Sequence, residues 1–267
     1  MDQRTKEKPV PNELSELVVN YCDPLFISDS NRIHQSNVRK SNGTITYINY
    51  KNQLWGVTAA HVANLENAKD RLTLCGCGTQ PVYITESNTY GGFRPLRKNE
   101  DDKKNPDIAI LKISNEIKKI HFDSNLKKAI NLEKWEKPDA TEEIITPVAF
   151  GFPTDHKTQQ GRVTLSDFVL VAGFVSNKWS FYNDGFSFHA ELKEDSEYFL
   201  SGMSGGPIFH AEDREHDPLL IGIVYQGTPG GKYKETPGLG MNNVFVFGHT
   251  LTPEIFDRWL YLAGFDS

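Results

Sequence analysis

From Gly43 onward the chain alternates apolar and polar positions with a period of two, the pattern of strands with one buried face. Thr44-Ile45-Thr46-Tyr47-Ile48 is the first such run. Lys51-Asn52 is a turn, and Leu54-Trp55-Gly56-Val57-Thr58 returns from it, so a hairpin is predicted. Arg71–Cys75 and Val82–Thr85 read as further strands, and Ile108–Ile113 as a continuous apolar one. After residue 144 the pattern resumes at Val148–Phe152, Phe168–Val175, Phe186–Ala190, Leu219–Tyr225 and Asn243–Phe247. Helical spacing is confined to the two ends. Asn12 is placed to cap a short helix carrying Leu14, Leu17, Val18 and Tyr21 on one face, ended by Pro24. Thr252 and Pro253 open a second helix with Ile255, Phe256, Trp259 and Leu260 on its apolar face. Many short strands with helices only at the termini predict an all-β barrel architecture.

Two polar stretches punctuate this pattern. Residues 97–104 mix both signs of charge and read as a solvated loop. Residues 114–143 are rich in lysine and glutamate with weak apolar spacing and read as a connection between two lobes. The expected organisation is an N-terminal extension over 1–40 and one domain over 41–267. Within it the first barrel spans about 41–125, the second about 144–250, and the last helix 253–264.

Composition narrows the function classes. The chain has 267 residues, 38% hydrophobic and 24% charged, enough for a substantial core. Its formal net charge of −6 argues against a general nucleic-acid binder, which needs a basic face. The N-terminus is polar rather than signal-like, and no apolar run reaches the ~18 residues of a membrane span, so no membrane partner is expected. The three cysteines, Cys22, Cys75 and Cys77, make a poor disulfide framework. Buried reduced thiols fit better, and with them a cytoplasmic location. No metal or cofactor is expected: the histidines are scattered and no His-Glu-x-x-His occurs. His121, His156, His189, His210, His216 and His249 belong to no motif and read as surface or core residues.

Three short stretches carry candidate chemistry. Ser204 lies in Ser201-Gly202-Met203-Ser204-Gly205-Gly206-Pro207, a glycine-rich turn that lets a substrate approach the main chain. His61 ends the strand that runs into Thr58-Ala59-Ala60-His61. Asp107 stands immediately before an apolar strand, where an unpartnered carboxylate would be costly. Each has an ordinary structural use: a strand connection, a half-buried histidine and an Asx turn. Together they are the parts of an activated nucleophile, with attacking oxygen, base and orienting acid.

The motifs Thr58-Ala59-Ala60-His61, Asp107-Ile108-Ala109-Ile110-Leu111 and Gly202-Met203-Ser204-Gly205-Gly206-Pro207 resemble, in that order, those of the trypsin/chymotrypsin-like serine peptidases. The resemblance covers roughly residues 41 to 264. It implies two packed six-stranded antiparallel β-barrels with the catalytic groups at their junction, and an activity that hydrolyses peptide bonds of a protein or peptide substrate. It makes Ser204 the nucleophile, His61 the base, Asp107 the orienting acid, and the backbone N–H groups of Gly202 and Ser204 the oxyanion hole. It places the floor of the specificity pocket at Tyr198 and the substrate-pairing strand at Tyr225, Gln226 and Gly227. Val62 replaces the cysteine that follows the histidine in secreted members, Met203 the common aspartate before the serine, and no Ile-Val-Gly-Gly-like start is present. The chain therefore looks like a bacterial-type, non-zymogen member.

Two other readings stand beside the intracellular endopeptidase. One is a silent or partner-regulated binding protein of the same fold, its triad misaligned until a regulatory protein binds. The other is an esterase, disfavoured because no strand-to-helix Gly-x-Ser-x-Gly elbow occurs and the acid precedes the serine.

Overall fold

The computed structural model describes residues 16–29, 38–64, 70–74, 82–83, 92–96, 105–123, 127–137, 146–154, 157–160, 163–166, 168–175, 184–191, 200–210, 219–228 and 243–265. In chain order the first group of elements is β1 (Cys22–Asp29), β2 (Val38–Tyr50), β3 (Gln53–Thr58), α1 (Ala60–Ala63), β4 (Asp70–Leu74), β5 (Val82–Tyr83), β6 (Phe93–Pro95), β7 (Ala109–Lys112), α2 (Asn115–His121) and β8 (Ile130–Asn131). The second group is β9 (Pro147–Gly151), β10 (Lys157–Gln160), β11 (Val163–Ser166), β12 (Val169–Ala172), β13 (Phe174–Val175), β14 (Gly185–Glu191), β15 (Pro207–His210), β16 (Leu219–Thr228), β17 (Asn243–Thr250) and α3 (Pro253–Leu262).

Two large sheets result, and β10 pairs with β11 in a separate two-stranded one. The first runs β5-β4-β1-β2-β3-β7-β6, with β8 added in parallel on β2. The second runs β12-β9-β15-β16-β17-β14-β13 in antiparallel order. Its two outermost strands, β12 and β13, are separated in the chain by Gly173 alone, so this sheet curls round into a nearly closed barrel. The described sheets hold eight and seven strands, against the six expected in each. The difference lies in β5, β8 and β13, which are two residues long.

Local sequence explains the elements that carry the site. The β2–β3 hairpin turns on Lys51 and Asn52, both with positive φ (51° and 56°), the left-handed pair that matches strand twist. In β17 buried and half-buried residues alternate without a break, as period two requires. Helix α3 starts where expected: the Thr252 hydroxyl accepts the Ile255 N–H at 3.2 Å and Pro253 occupies the first turn. Its Phe256, Trp259 and Leu260 enter a core that also holds Ile48, Trp55, Val57 and Ile110 from the first sheet. From the second sheet that core takes Val148, Phe150, Phe209 and Ile223. The largest shared cluster is therefore the seam between the two sheets, closed by the last helix.

Several expectations need correction. Pro24 does not stop a helix; the helical segment ends at Tyr21 and Pro24 lies inside β1. The missing N–H is tolerated because β4 pairs with β1 only from Leu25 onward. β1 thus belongs to the first sheet although it lies upstream of residue 41. The stretch 114–143 is not a bare connection: α2 is capped by Ser114, and Ile117 is buried under the first sheet with Leu25, Ile45 and Leu111. Lys127 is buried too, paired with Asp23 at 2.7 Å and donating to the carbonyls of Val19 and Cys22. Cys22 is buried and its thiol is pushed well up by burial. Cys75 and Cys77 lie outside the described residues. Among the described residues no helix is long and apolar enough to cross a membrane.

Candidate active site

Asp107 and His61, the candidate acid and base, meet at the start of α1. The Asp107 carboxylate takes the His61 Nδ1 at 2.5 Å with one oxygen and the His61 backbone N–H at 3.0 Å with the other. The Asp107 carbonyl accepts the Ala60 N–H at 3.1 Å. Ala59 and Ala60 allow this approach because neither has a side chain beyond Cβ to occupy the space. Burial disfavours charge on Asp107. The hydrogen bond and charge of the imidazole and the His61 N–H outweigh it and hold the carboxyl below its ordinary range. His61 remains half-exposed, as a base that must reach a substrate has to be.

The serine turn belongs to the second sheet but is fastened to the first. The Thr44 N–H donates to the Ser204 carbonyl at 2.8 Å, and the Thr44 hydroxyl to the Gly202 carbonyl at 2.9 Å. The same hydroxyl accepts the Phe152 N–H at 3.2 Å. Thr46 donates to the Gly205 carbonyl at 2.7 Å, and Thr58 to the Thr44 carbonyl at 2.7 Å. All three threonines are fully buried. Sequence reading placed Thr44, Thr46 and Thr58 in strands but missed this role, because threonine suits an exposed strand face equally well.

Close packing around Gly43 brings Val62 and the Ser204 backbone together. A Cβ on Gly43 would stand 2.6 Å from a Val62 methyl and 2.9 Å from the Ser204 carbonyl oxygen, so the residue after the base and the serine backbone converge on one point. Gly205 has φ of +91° and its Cβ would fall 2.0 Å from the Thr44 carbonyl oxygen; only glycine fits there.

The two expected oxyanion donors are oriented by the carbonyls preceding them. Ser201 C=O is held by the Thr154 N–H at 2.6 Å, and Met203 C=O by the Gly206 N–H at 2.8 Å. In a trans peptide the N–H points opposite to its carbonyl. The Gly202 and Ser204 N–H groups are thereby turned away from both anchors, and among the described residues neither has an acceptor.

The candidate nucleophile is turned aside. Ser204 Oγ donates to the Tyr225 carbonyl at 3.1 Å, and among the described residues no hydrogen bond joins it to His61. β16 slips register between Val224 and Gln226, making Tyr225 the extra residue of a bulge. That bulge lays the Tyr225 ring on His249, with centroids 4.3 Å apart, while its carbonyl faces Ser204. Gln226 is exposed and Gly227 packs on Leu200, leaving this end of β16 bordered by β17 on one side. Tyr198 lies outside the described residues, as do residues 229–242. His249, which belongs to no sequence motif, touches the candidate acid: its Nε2 accepts the Asp107 N–H at 2.9 Å, a contact 142 residues away in the chain.

Among the described residues no group of three or more His, Cys, Asp and Glu side chains is placed to hold a metal ion. The arrangement offers an imidazole oriented by a carboxylate and, on the serine turn, two N–H groups without an acceptor among the described residues, the parts of proton-transfer chemistry with oxyanion stabilisation. A search of protein-family models finds no match to the chain, and a search of curated proteins finds no relative.

Proposed function

We propose that the chain is a serine endopeptidase of the trypsin/chymotrypsin-like type, acting on protein or peptide substrates. The observation that carries this reading is the double grip of Asp107 on His61, through Nδ1 and the backbone N–H, beside a serine turn bonded to Thr44. Six strands of three or more residues in each sheet support the two-barrel architecture of that family.

The reaction begins with rotation of Ser204 Oγ from the Tyr225 carbonyl toward His61 Nε2. Oγ attacks the scissile carbonyl carbon and its proton passes to Nε2. Asp107 keeps the other imidazole proton on Nδ1 and stabilises the imidazolium. The carbonyl oxygen becomes an oxyanion between the Gly202 and Ser204 N–H groups, each such donor being worth about 10²–10³ in rate. Collapse breaks the C–N bond, and His61 hands its proton to the leaving amine. Water, deprotonated by His61, then hydrolyses the acyl ester and restores the serine.

A fluorophosphonate probe tests the alignment. It should label the wild-type chain at Ser204 and leave Ser204→Ala unlabelled, while His61→Ala lowers the labelling rate by about 10⁴ or more. Equal labelling of wild type and Ser204→Ala would refute the assignment. The Ser204–Tyr225 bond also favours a second reading, a partner-gated member of this fold that stays silent until the hydroxyl is released. Labelling that needs an added cellular partner would select it.

A further inference from the structure

Every polar group of Asp107 is engaged. Both carboxylate oxygens and the carbonyl are held by the start of α1, and the remaining N–H by His249. His249 reaches it from β17, on the second sheet, so this bond joins the acid's loop to the opposite side of the seam. An imidazole nitrogen accepts a hydrogen bond only when it carries no proton. The other ring nitrogen, Nδ1, faces the Asp184 carbonyl at 3.3 Å, a partner that can only accept. The two contacts together select the neutral tautomer with its proton on Nδ1.

We propose that His249 is a positioning residue for the acid of this site, and that its neutral form is required, giving the site a proton-sensitive element separate from His61. The proposal rests on the serine-peptidase reading above for its effect on rate, and on geometry alone for the bond. Protonation would place an Nε2–H against the Asp107 N–H, two donors face to face. Asp107 would then lose its tie to the second sheet.

The surroundings favour the neutral ring. Burial lowers the pKa of His249, against the raising pull of the Asp184 carbonyl and the Asp107 and Asp184 carboxylates. From β16 the Tyr225 phenol covers one face; burial and Asp107 raise its pKa, so it stays uncharged. From α3, Trp259 meets the ring edge-on, and Arg258 pairs with the Asp184 carboxylate, drawing that charge outward. The same Tyr225 whose ring lies on His249 holds the Ser204 hydroxyl with its carbonyl, so one pair of residues supports both acid and nucleophile.

Two measurements on the full chain test this. The first is the fluorophosphonate labelling rate of Ser204 from neutral to acidic pH, with folding followed by tryptophan fluorescence in the same samples. The wild-type rate should fall with protonation of two groups. His249→Gln, whose side-chain oxygen accepts at a similar reach but does not titrate, should fall with one. His249→Phe should label roughly tenfold more slowly at neutral pH, the loss of about one hydrogen bond. An acid limb of the same order in wild type and His249→Gln overturns the proposal. The second measurement is ¹⁵N NMR of the wild type. The Asp107 amide should shift along the titration of the His249 ring, and the ring should show the Nδ1–H tautomer. This arm needs no activity: if the probe never labels Ser204, the peptidase reading falls while the Asp107 shift still decides the bond. An Asp107 amide indifferent to His249 sinks the inference even where labelling succeeds.

Discussion

Replacing Thr44 by valine removes one oxygen and keeps the shape of the side chain, so its cost isolates the hydrogen bonds that fasten the serine turn. Thr44 is fully buried. Its hydroxyl donates to the Gly202 carbonyl at 2.9 Å and accepts the Phe152 N–H at 3.2 Å. Valine leaves both backbone groups without that partner in a site closed to water. Each orphaned group costs about 1–3 kcal/mol, so Thr44→Val should lose about 2–6 kcal/mol of stability. That is a large share of the ~5–15 kcal/mol that holds a domain folded. Thr46→Val orphans only the Gly205 carbonyl and should lose about 1–3 kcal/mol. Thr44→Ser keeps the hydroxyl and should lose less than Thr44→Val. Urea unfolding of the three variants gives the ordering, and the labelling rate of Ser204 in the folded fraction shows whether the turn has moved. A Thr44→Val variant within ~0.5 kcal/mol of wild type, the range of an ordinary surface change, would refute the claim that this hydroxyl anchors the turn.

Other outcomes follow from the same geometry. Gly205→Ala should abolish labelling or folding, since its Cβ would overlap the Thr44 carbonyl and its φ of +91° is unfavourable for alanine; soluble, fully labelled protein would contradict this. Lys127→Met should cost about 3–5 kcal/mol in urea unfolding, because it strips the buried Asp23 carboxylate of its ammonium partner; an effect under ~1 kcal/mol would count against the pairing. Stability should fall on acidification in two stages. His249, depressed in the folded state, takes up its proton more readily when unfolded, so stability drops as pH falls below the ordinary histidine range. Asp107 is also depressed, so its contribution is present above the ordinary carboxylate range and disappears as pH falls through its folded value. Unfolding free energies of wild type and His249→Gln across acidic pH check the first stage, which the variant should lack.

Most strands that form the body of both sheets were legible because their burial alternates or runs unbroken: β3, β7, β9, β16 and β17 overlap the runs the pattern marked, while β2 reaches back to Val38, six residues before its apolar–polar run begins at Thr44. β1 was hidden by its own chemistry. Asp23 and Pro24 look like a break, yet Asp23 is buried against Lys127 and the Tyr47 hydroxyl, and Pro24 falls where pairing on one side has not begun. β10, Lys157–Gln160, is written in polar residues alone, and β11, Val163–Ser166, alternates over only four, too short a run to mark a strand by itself. At the site, the meeting of His61 and Asp107 was legible from motif order. The rotamer of Ser204 was not, since a hydroxyl's choice of acceptor depends on a bulge that places the Tyr225 carbonyl beside it. His249 was passed over as a residue without a motif, because what distinguishes it is a contact across the seam.

The Thr44–Ser204 bond has a consequence for the order in which the chain is made. The imidazole and carboxylate leave the ribosome first, on one sheet, and the alcohol arrives later on the other. Until β2 grips the incoming turn and Trp259 and Phe256 plug the junction, a nascent chain carries the three groups without their assembly. On the proposed reading, two threonines and a terminal helix withhold reactivity from every unfinished copy.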